Sequence, residues 1–173
     1  MHRILAIQTG GTIDKCYPRS IGGYAFEIGA PVFEKVFARC RVNLADIRAI
    51  SVCKKDSQDI DETDRHELAN ECLRAEENRI LISHGTDTIL ETAEYLADRV
   101  EATEGKVIVL TGSFLPESFK DSDADFNFGM AFATLQLTPL DQAGVYVAVD
   151  GCIALWNQMN RDLQSGKFHI VTR

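Results

Sequence analysis

The chain has 173 residues, 45% of them apolar, which is room for one hydrophobic core and short for two. Lys and Arg number 18 against 26 Asp and Glu, and the formal net charge of -8 disfavours non-specific attraction to nucleic acid or to an anionic membrane. No stretch approaches the roughly 18 apolar residues of a membrane-spanning helix, and the apolar run at the N-terminus ends too early for a secretory signal, so the expectation is one soluble, cytoplasmic domain over residues 1–173.

In chain order, residues 4–7 form a short apolar run that delivers Thr9-Gly10-Gly11-Thr12, which reads as a buried strand and a small-residue turn. This is neither G-x-G-x-x-G nor a P-loop with its lysine. Residues 14–29 lack periodicity and read as a long loop, the kind that often closes over a site, with Tyr17 and Tyr24 as its aromatics. After Pro31, the residues Val32, Phe33, Val36, Phe37 and Cys40 recur at helical spacing. Residues 47–53 read as a second strand running into Asp56-Ser57-Gln58-Asp59. The charged stretch 61–78 carries a narrow stripe of Leu68, Cys72 and Ala75, with Asp61 or Thr63 as its N-cap and His66 on its exposed side.

Residues 80–83 form a third apolar run, and His84-Gly85-Thr86-Asp87 turns directly into a helical pattern of Ile89, Leu90, Ala93, Leu96, Ala97 and Val100. A hydroxyl and a carboxylate therefore stand where a helix start meets a strand end. They serve either as an N-cap or as chemistry. Residues 106–110 read as a fourth strand ending in Thr111-Gly112-Ser113, and Phe126, Met130, Ala133 and Leu137 predict a helix face before Pro139. Residues 144–149 form a last strand, which Asp150-Gly151 turns back as a hairpin. The five cysteines are scattered, with no C-x-x-C pair and no histidine at ligand spacing, so reduced core thiols and no metal site are expected.

Alternating strands and helices argue for an α/β fold with a parallel sheet and helices on both faces. The strands ending at Thr9 to Thr12, Ser57, Thr86 with Asp87, and Thr111 to Ser113 would then gather these hydroxyls at one rim of the sheet, where open α/β sheets bind ligands.

Thr9-Gly10-Gly11-Thr12-Ile13 and His84-Gly85-Thr86-Asp87-Thr88, in that order and about seventy residues apart, resemble the paired signature motifs of the bacterial-type L-asparaginases. Asp56-Ser57-Gln58-Asp59, Leu110-Thr111-Gly112-Ser113 and the stretch from Ser122 to Phe126-Asn127-Phe128-Gly129 extend the similarity over nearly the whole chain. The resemblance implies a three-layer α/β sandwich with a mainly parallel, flavodoxin/Rossmann-like sheet, matching the family's N-terminal domain in a short-chain, single-domain form. It also implies hydrolysis of L-asparagine to L-aspartate and ammonia through a threonine nucleophile and an acyl-enzyme, with no cofactor or metal, in a homodimer or homotetramer. By motif position the nucleophile is Thr12 and the second essential hydroxyl is Thr86, assisted by Asp87. The family further implies that Asp87 and Ser57 hold the substrate's ammonium and carboxylate, and that Gly11 and Thr86 contribute to the oxyanion hole. Gly85 and Ser113 lie within the substrate-binding motifs, and a loop tyrosine, Tyr17 ahead of Tyr24, helps to activate Thr12.

One departure stands out. An ungapped match from Gly144 onward puts Arg161 where the family has a lysine, with Lys167 as the alternative if the tail shifts. A lysine can lose its proton in such a site, whereas a guanidinium keeps it. Arg161 would then orient Asp87 and Thr86 as a fixed charge, leaving a tyrosine or water as base, and weakened or altered amidase activity is expected. Glutamine or another small amide is an alternative substrate. A catalytically weak amide-binding or regulatory protein is the alternative function, and a nucleotide or flavin binder on the same sheet is a third reading.

Overall fold

The computed structural model describes residues 3–18, 25–43, 46–100 and 105–171. Along the chain run β1 (Ile4–Gly10), β2 (Lys15–Cys16), β3 (Glu27–Ile28), α1 (Phe33–Arg39), β4 (Ile47–Lys55), α2 (Glu62–Arg74), β5 (Arg79–Ser83) and α3 (Ile89–Val100). There follow β6 (Val107–Thr111), α4 (Ala124–Leu137), β7 (Gly144–Val149), β8 (Cys152–Leu155), β9 (Met159–Arg161) and β10 (Phe168–Ile170).

Six strands form the central sheet in the order β4-β1-β5-β6-β7-β8. The first five are parallel, and only β8 turns back antiparallel to β7. Asp150 and Gly151, both at positive φ (54° and 76°), make that hairpin turn, as a tight connection with right-handed strand twist requires. β1, β5 and β6 are buried at every position, because helices cover both of their faces. Alternation along each strand sends Leu5, Ile7, Ile80 and Ile82 to the layer of α2 and α3, and Ile4, Ala6 and Leu81 to the layer of α1 and α4. This is the mainly parallel three-layer sandwich expected. Counting the parallel strands alone, the order is 2-1-3-4-5, the flavodoxin-like arrangement whose switch point lies between β1 and β5.

Local chemistry explains the helix ends. Asp61 accepts a hydrogen bond from the Asp64 N–H while the Asp64 side chain accepts from the Asp61 N–H, a reciprocal cap that satisfies two unpaired donors at the start of α2. The predicted stripe of α3 is buried through Ile89, Ala93, Leu96, Ala97 and Val100.

Three expectations are corrected. In α4 the predicted face of Phe126, Met130, Ala133 and Leu137 is not the packed one: Phe126 is 64% and Leu137 80% exposed, while Ala124, Phe128, Ala131 and Leu135 are buried. The helix is apolar on nearly every side, so two stripes share the same spacing. The small residues Ala124 and Ala131 permit close approach to the sheet, and the buried Asn127 donates its Nδ2 to Gly112 O and to the Asp123 carboxylate, while its Oδ1 has no protein partner among the described residues. The stretch read as one long loop contains the β2–β3 hairpin, with Lys15 opposite Ile28, and Tyr24 lies outside the described residues. None of the cysteines is in a disulfide, but only Cys72 is buried, and Cys40 is exposed.

Candidate active site

The site lies at the carboxyl ends of β1, β4 and β5, over the switch point of the sheet. β1 leaves the sheet through Gly10 and Gly11, at φ 112° and 85°. Gly11 donates its N–H to Lys55 O (2.9 Å), locking the turn to the end of β4. A Cβ on Gly11 would stand 2.3 Å from the backbone nitrogen of Gly85, so the two threonine-bearing turns meet backbone to backbone. Gly85 in turn has no room for a side chain, because a Cβ there would lie 2.7 Å from the Ser57 hydroxyl. Three segments far apart in sequence are thereby stacked within van der Waals contact.

This stacking opens a cavity of about 260 Å³, walled by Thr12, Lys15 and Asp87 and by the turn of Asp56, Ser57, Gln58 and Asp59. Larger depressions lie elsewhere, one of about 330 Å³ beside Trp156 and one of about 460 Å³ beside Arg39 and Glu117, but the rim cavity is where the two motifs converge. Lys15 reaches across it to Asp56 (2.9 Å).

Asp87 is held at both oxygens. Oδ1 accepts from Arg161 Nη1 at 2.8 Å and Oδ2 from Gln58 Nε2 at 2.7 Å. The Arg161 guanidinium, with help from Gln58, keeps the Asp87 carboxyl below the usual carboxylate range. Arg161 comes from the end of β9. Its Nη1 also donates to Thr86 O (3.2 Å), its Nε donates to Gly166 O (3.0 Å), and its Cζ lies 5.8 and 5.4 Å from the ring centroids of Phe114 and Phe168. Lys167 is exposed in the adjoining turn, where its carbonyl accepts the Asp162 N–H.

The other residues singled out by sequence fall as follows. Thr12 is half-buried in the cavity wall, Thr86 is 9% exposed next to Asp87, and the Ser57 carbonyl accepts the Thr88 hydroxyl (2.7 Å). Ser113 is buried after β6, where its hydroxyl donates to Leu115 O, and it is not part of the cavity wall. Tyr17 is 62% exposed and stacks edge-on against Phe26, also outside that wall. Lys15, Gln58 and Asp14 were missed as individual residues by the sequence reading. The signal for Gln58 was its place in Asp56-Ser57-Gln58-Asp59, whereas a charged residue after a glycine turn, such as Asp14 or Lys15, reads like any solvated loop residue.

Beneath the site His84 is fully buried. Its Nδ1–H donates to Gly85 O (2.8 Å), and burial pushes its pKa down to about 4, so the ring is neutral and structural. Among the described residues no group of three or more His, Cys, Asp or Glu side chains is arranged to hold a metal ion.

Comparison with known proteins places this geometry. Residues 3–164 match the family described as asparaginase, N-terminal. The chain is 30% identical over 158 residues to a glutaminase-asparaginase of Acinetobacter glutaminasificans, covering 88% of this chain and 47% of that protein. It is 29% identical over 161 residues to an L-asparaginase of Thermococcus kodakarensis, covering 92% and 47%. Among solved structures, the thermostable L-asparaginase from Thermococcus kodakarensis superposes with a TM-score of 0.78 at 26% identity, over 98% of this chain and 51% of that one. A probable cytoplasmic L-asparaginase from Campylobacter jejuni shares the fold with a TM-score of 0.77 at 23% identity, over 98% and 53%. The chain thus spans about half the length of the relatives it matches. With the family match running through both threonine turns and on past Arg161, the chain belongs to the asparaginase family and corresponds to its N-terminal domain.

Proposed function

We propose that the chain is an amidohydrolase that releases ammonia from the side-chain amide of L-asparagine, with Thr12 as nucleophile. The observation that carries this reading is that Thr12, Ser57 and Asp87 surround one small polar cavity at the sheet's switch point. In this reading the Thr12 hydroxyl attacks the amide carbon, the C–N bond breaks, and ammonia leaves with a proton. Water then cleaves the Thr12 ester to give the free acid. The negative oxygen of each tetrahedral intermediate needs preset N–H donors, and the packed backbones of Gly11 and Gly85–Thr86 supply candidates. Ser57 and Asp87 would grip the substrate's carboxylate and ammonium, with Gly85 packed beneath Ser57 and Ser113 set back from the cavity after β6.

Arg161 orients Asp87 and Thr86 and transfers no proton, because a guanidinium does not give one up. The Thr12 proton would leave through water or through Tyr17 after its ring moves from Phe26. That substitution favours a second reading, an amide-binding protein with little turnover. The single-domain organisation over residues 1–173 and a homodimer or homotetramer belong to the same proposal. Ammonia release from L-asparagine and L-glutamine, measured in parallel on the purified chain, tests it. Release from asparagine in excess of glutamine supports the asparaginase reading, a reversed ratio reassigns the substrate, and binding of asparagine without release supports the second reading.

A further inference from the structure

Asp14 closes the short helical turn that Thr12 begins, and it is 1% exposed. Its Oδ1 accepts the Val32 N–H at 2.9 Å and its Oδ2 accepts the Ser83 hydroxyl at 3.1 Å. Its own N–H donates to Gly11 O (3.2 Å), and its carbonyl accepts the Gly29 N–H (2.9 Å). Ser83 is the last residue of β5, directly before His84-Gly85-Thr86-Asp87, and its carbonyl accepts the Thr9 hydroxyl (2.8 Å). One buried carboxylate therefore ties the Thr12 turn to the strand end that carries Thr86 and Asp87, and both to the start of α1.

We infer that Asp14 is a positioning residue, whose two accepting oxygens hold the Thr12 turn in register with Gly85, Thr86 and Asp87. The functional part of this inference rests on the reading of Thr12 as nucleophile. An ionised carboxylate accepts at both oxygens, which is what the Val32 and Ser83 donors present. A protonated acid, or asparagine, offers one acceptor and one donor, so the Ser83 hydroxyl has to reverse its role and accept, and the bond that spaces the Thr12 turn from the strand end changes. Burial pushes the Asp14 pKa up to about 6, opposed by the Val32, Gln8 and Ser83 hydrogen bonds and by Lys54 on β4. Lys15 and Cys16 on β2, Lys35 on α1 and Glu117 in the loop before α4 line the small void beside it. A carboxylate kept charged at neutral pH against its own burial, one residue from the Thr12 turn's centre, is characteristic of a site that trades stability for geometry.

Threonine-methyl NMR on the intact chain, titrated through the Asp14 pKa of about 6, reads this directly. In the wild type the Thr12 and Thr86 methyls shift with one shared midpoint while Thr134, at the far end of α4, does not. In Asp14→Asn that midpoint is absent, and in Ser83→Ala, which removes one donor, it moves to higher pH. In an ammonia-release assay Asp14→Asn lowers kcat roughly ten- to hundredfold and loses the acid limb, with KM changed by less than about twofold. An unchanged Thr12 titration in Asp14→Asn, or a wild-type kcat in that variant at every pH, overturns the inference. A wild type that releases no ammonia, but whose Thr12 and Thr86 methyls share a midpoint that Asp14→Asn abolishes, defeats the amidase reading and leaves the positioning role standing.

Discussion

Arg161 Nη1 donates to both Asp87 Oδ1 (2.8 Å) and the carbonyl of Thr86 (3.2 Å), so a single side chain from the C-terminal hairpin fixes the carboxylate and the backbone of the second threonine turn. The arginine is itself fixed by Gly166 O and by the rings of Phe114 and Phe168. It is a rigid positive clamp in a position where a titratable amine would be able to exchange a proton.

Arg161→Lys should therefore raise the rate of ammonia release, by tenfold or more, since a positioned proton carrier typically contributes roughly a hundredfold or more. Initial rates at saturating amide measure it, and an unchanged or lower rate shows that the fixed charge is what the site uses. Arg161→Met should act on Asp87 in the opposite sense. With the guanidinium gone, the depressed Asp87 pKa returns toward its ordinary value. Functions that need ionised Asp87 are then lost at higher pH than in the wild type, and the acid limb of kcat/KM moves up.

Gly11→Ala should destabilise the chain by about 3 kcal/mol or more, because it combines a left-handed φ of 85° with a Cβ 2.3 Å from the Gly85 nitrogen. Gly129→Ala is the contrasting change. Gly129 lies inside α4 with nothing within 4 Å of a new Cβ, so alanine should stabilise by about 0.5–1 kcal/mol. Urea unfolding of both variants checks the pair.

Much of this arrangement was legible in the sequence, for identifiable reasons. Fully buried strands such as β1 and β5 show as unbroken apolar runs, and the glycine turns after them mark where backbones approach closely, so the rim of Thr12, Ser57, Thr86 and Asp87 followed from strand alternation. The packed face of α4 was not legible, because a helix apolar on nearly every side carries no clear amphipathic phase. The β2–β3 hairpin was hidden because two-residue strands have no periodicity. Asp14 was hidden for a different reason: its burial is created by Val32 and Ser83, 18 and 69 residues away, and nothing local distinguishes it from a solvated aspartate.

Asp14 also makes a prediction for stability. Its folded pKa of about 6 lies above the ordinary 3.8, so the folded chain binds this proton more tightly than the unfolded one. The stabilisation from the bound proton is full below pH 3.8 and is lost as pH rises through about 6. Asp14→Asn has no such loss. Relative to the wild type the variant should gain about 3 kcal/mol on going from acid to neutral pH, as read by urea unfolding at the two limits. Equal pH dependence in the two proteins contradicts the buried-carboxylate account.

Thiol labelling offers an independent check of the packing. Cys40 is exposed after α1, while Cys72 is on the buried face of α2 with its thiol pushed up to about 12 by burial. Brief alkylation of the native chain should modify Cys40 and spare Cys72, and unfolding should make Cys72 reactive. Peptide mass mapping distinguishes them.

The most direct test of the proposed chemistry is ammonia release from L-asparagine by the wild type beside Thr12→Ala and Thr12→Ser. The account predicts measurable release by the wild type, a residual rate in Thr12→Ser, which retains a hydroxyl, and none above background in Thr12→Ala. Release by Thr12→Ala at the wild-type rate would contradict a nucleophilic Thr12.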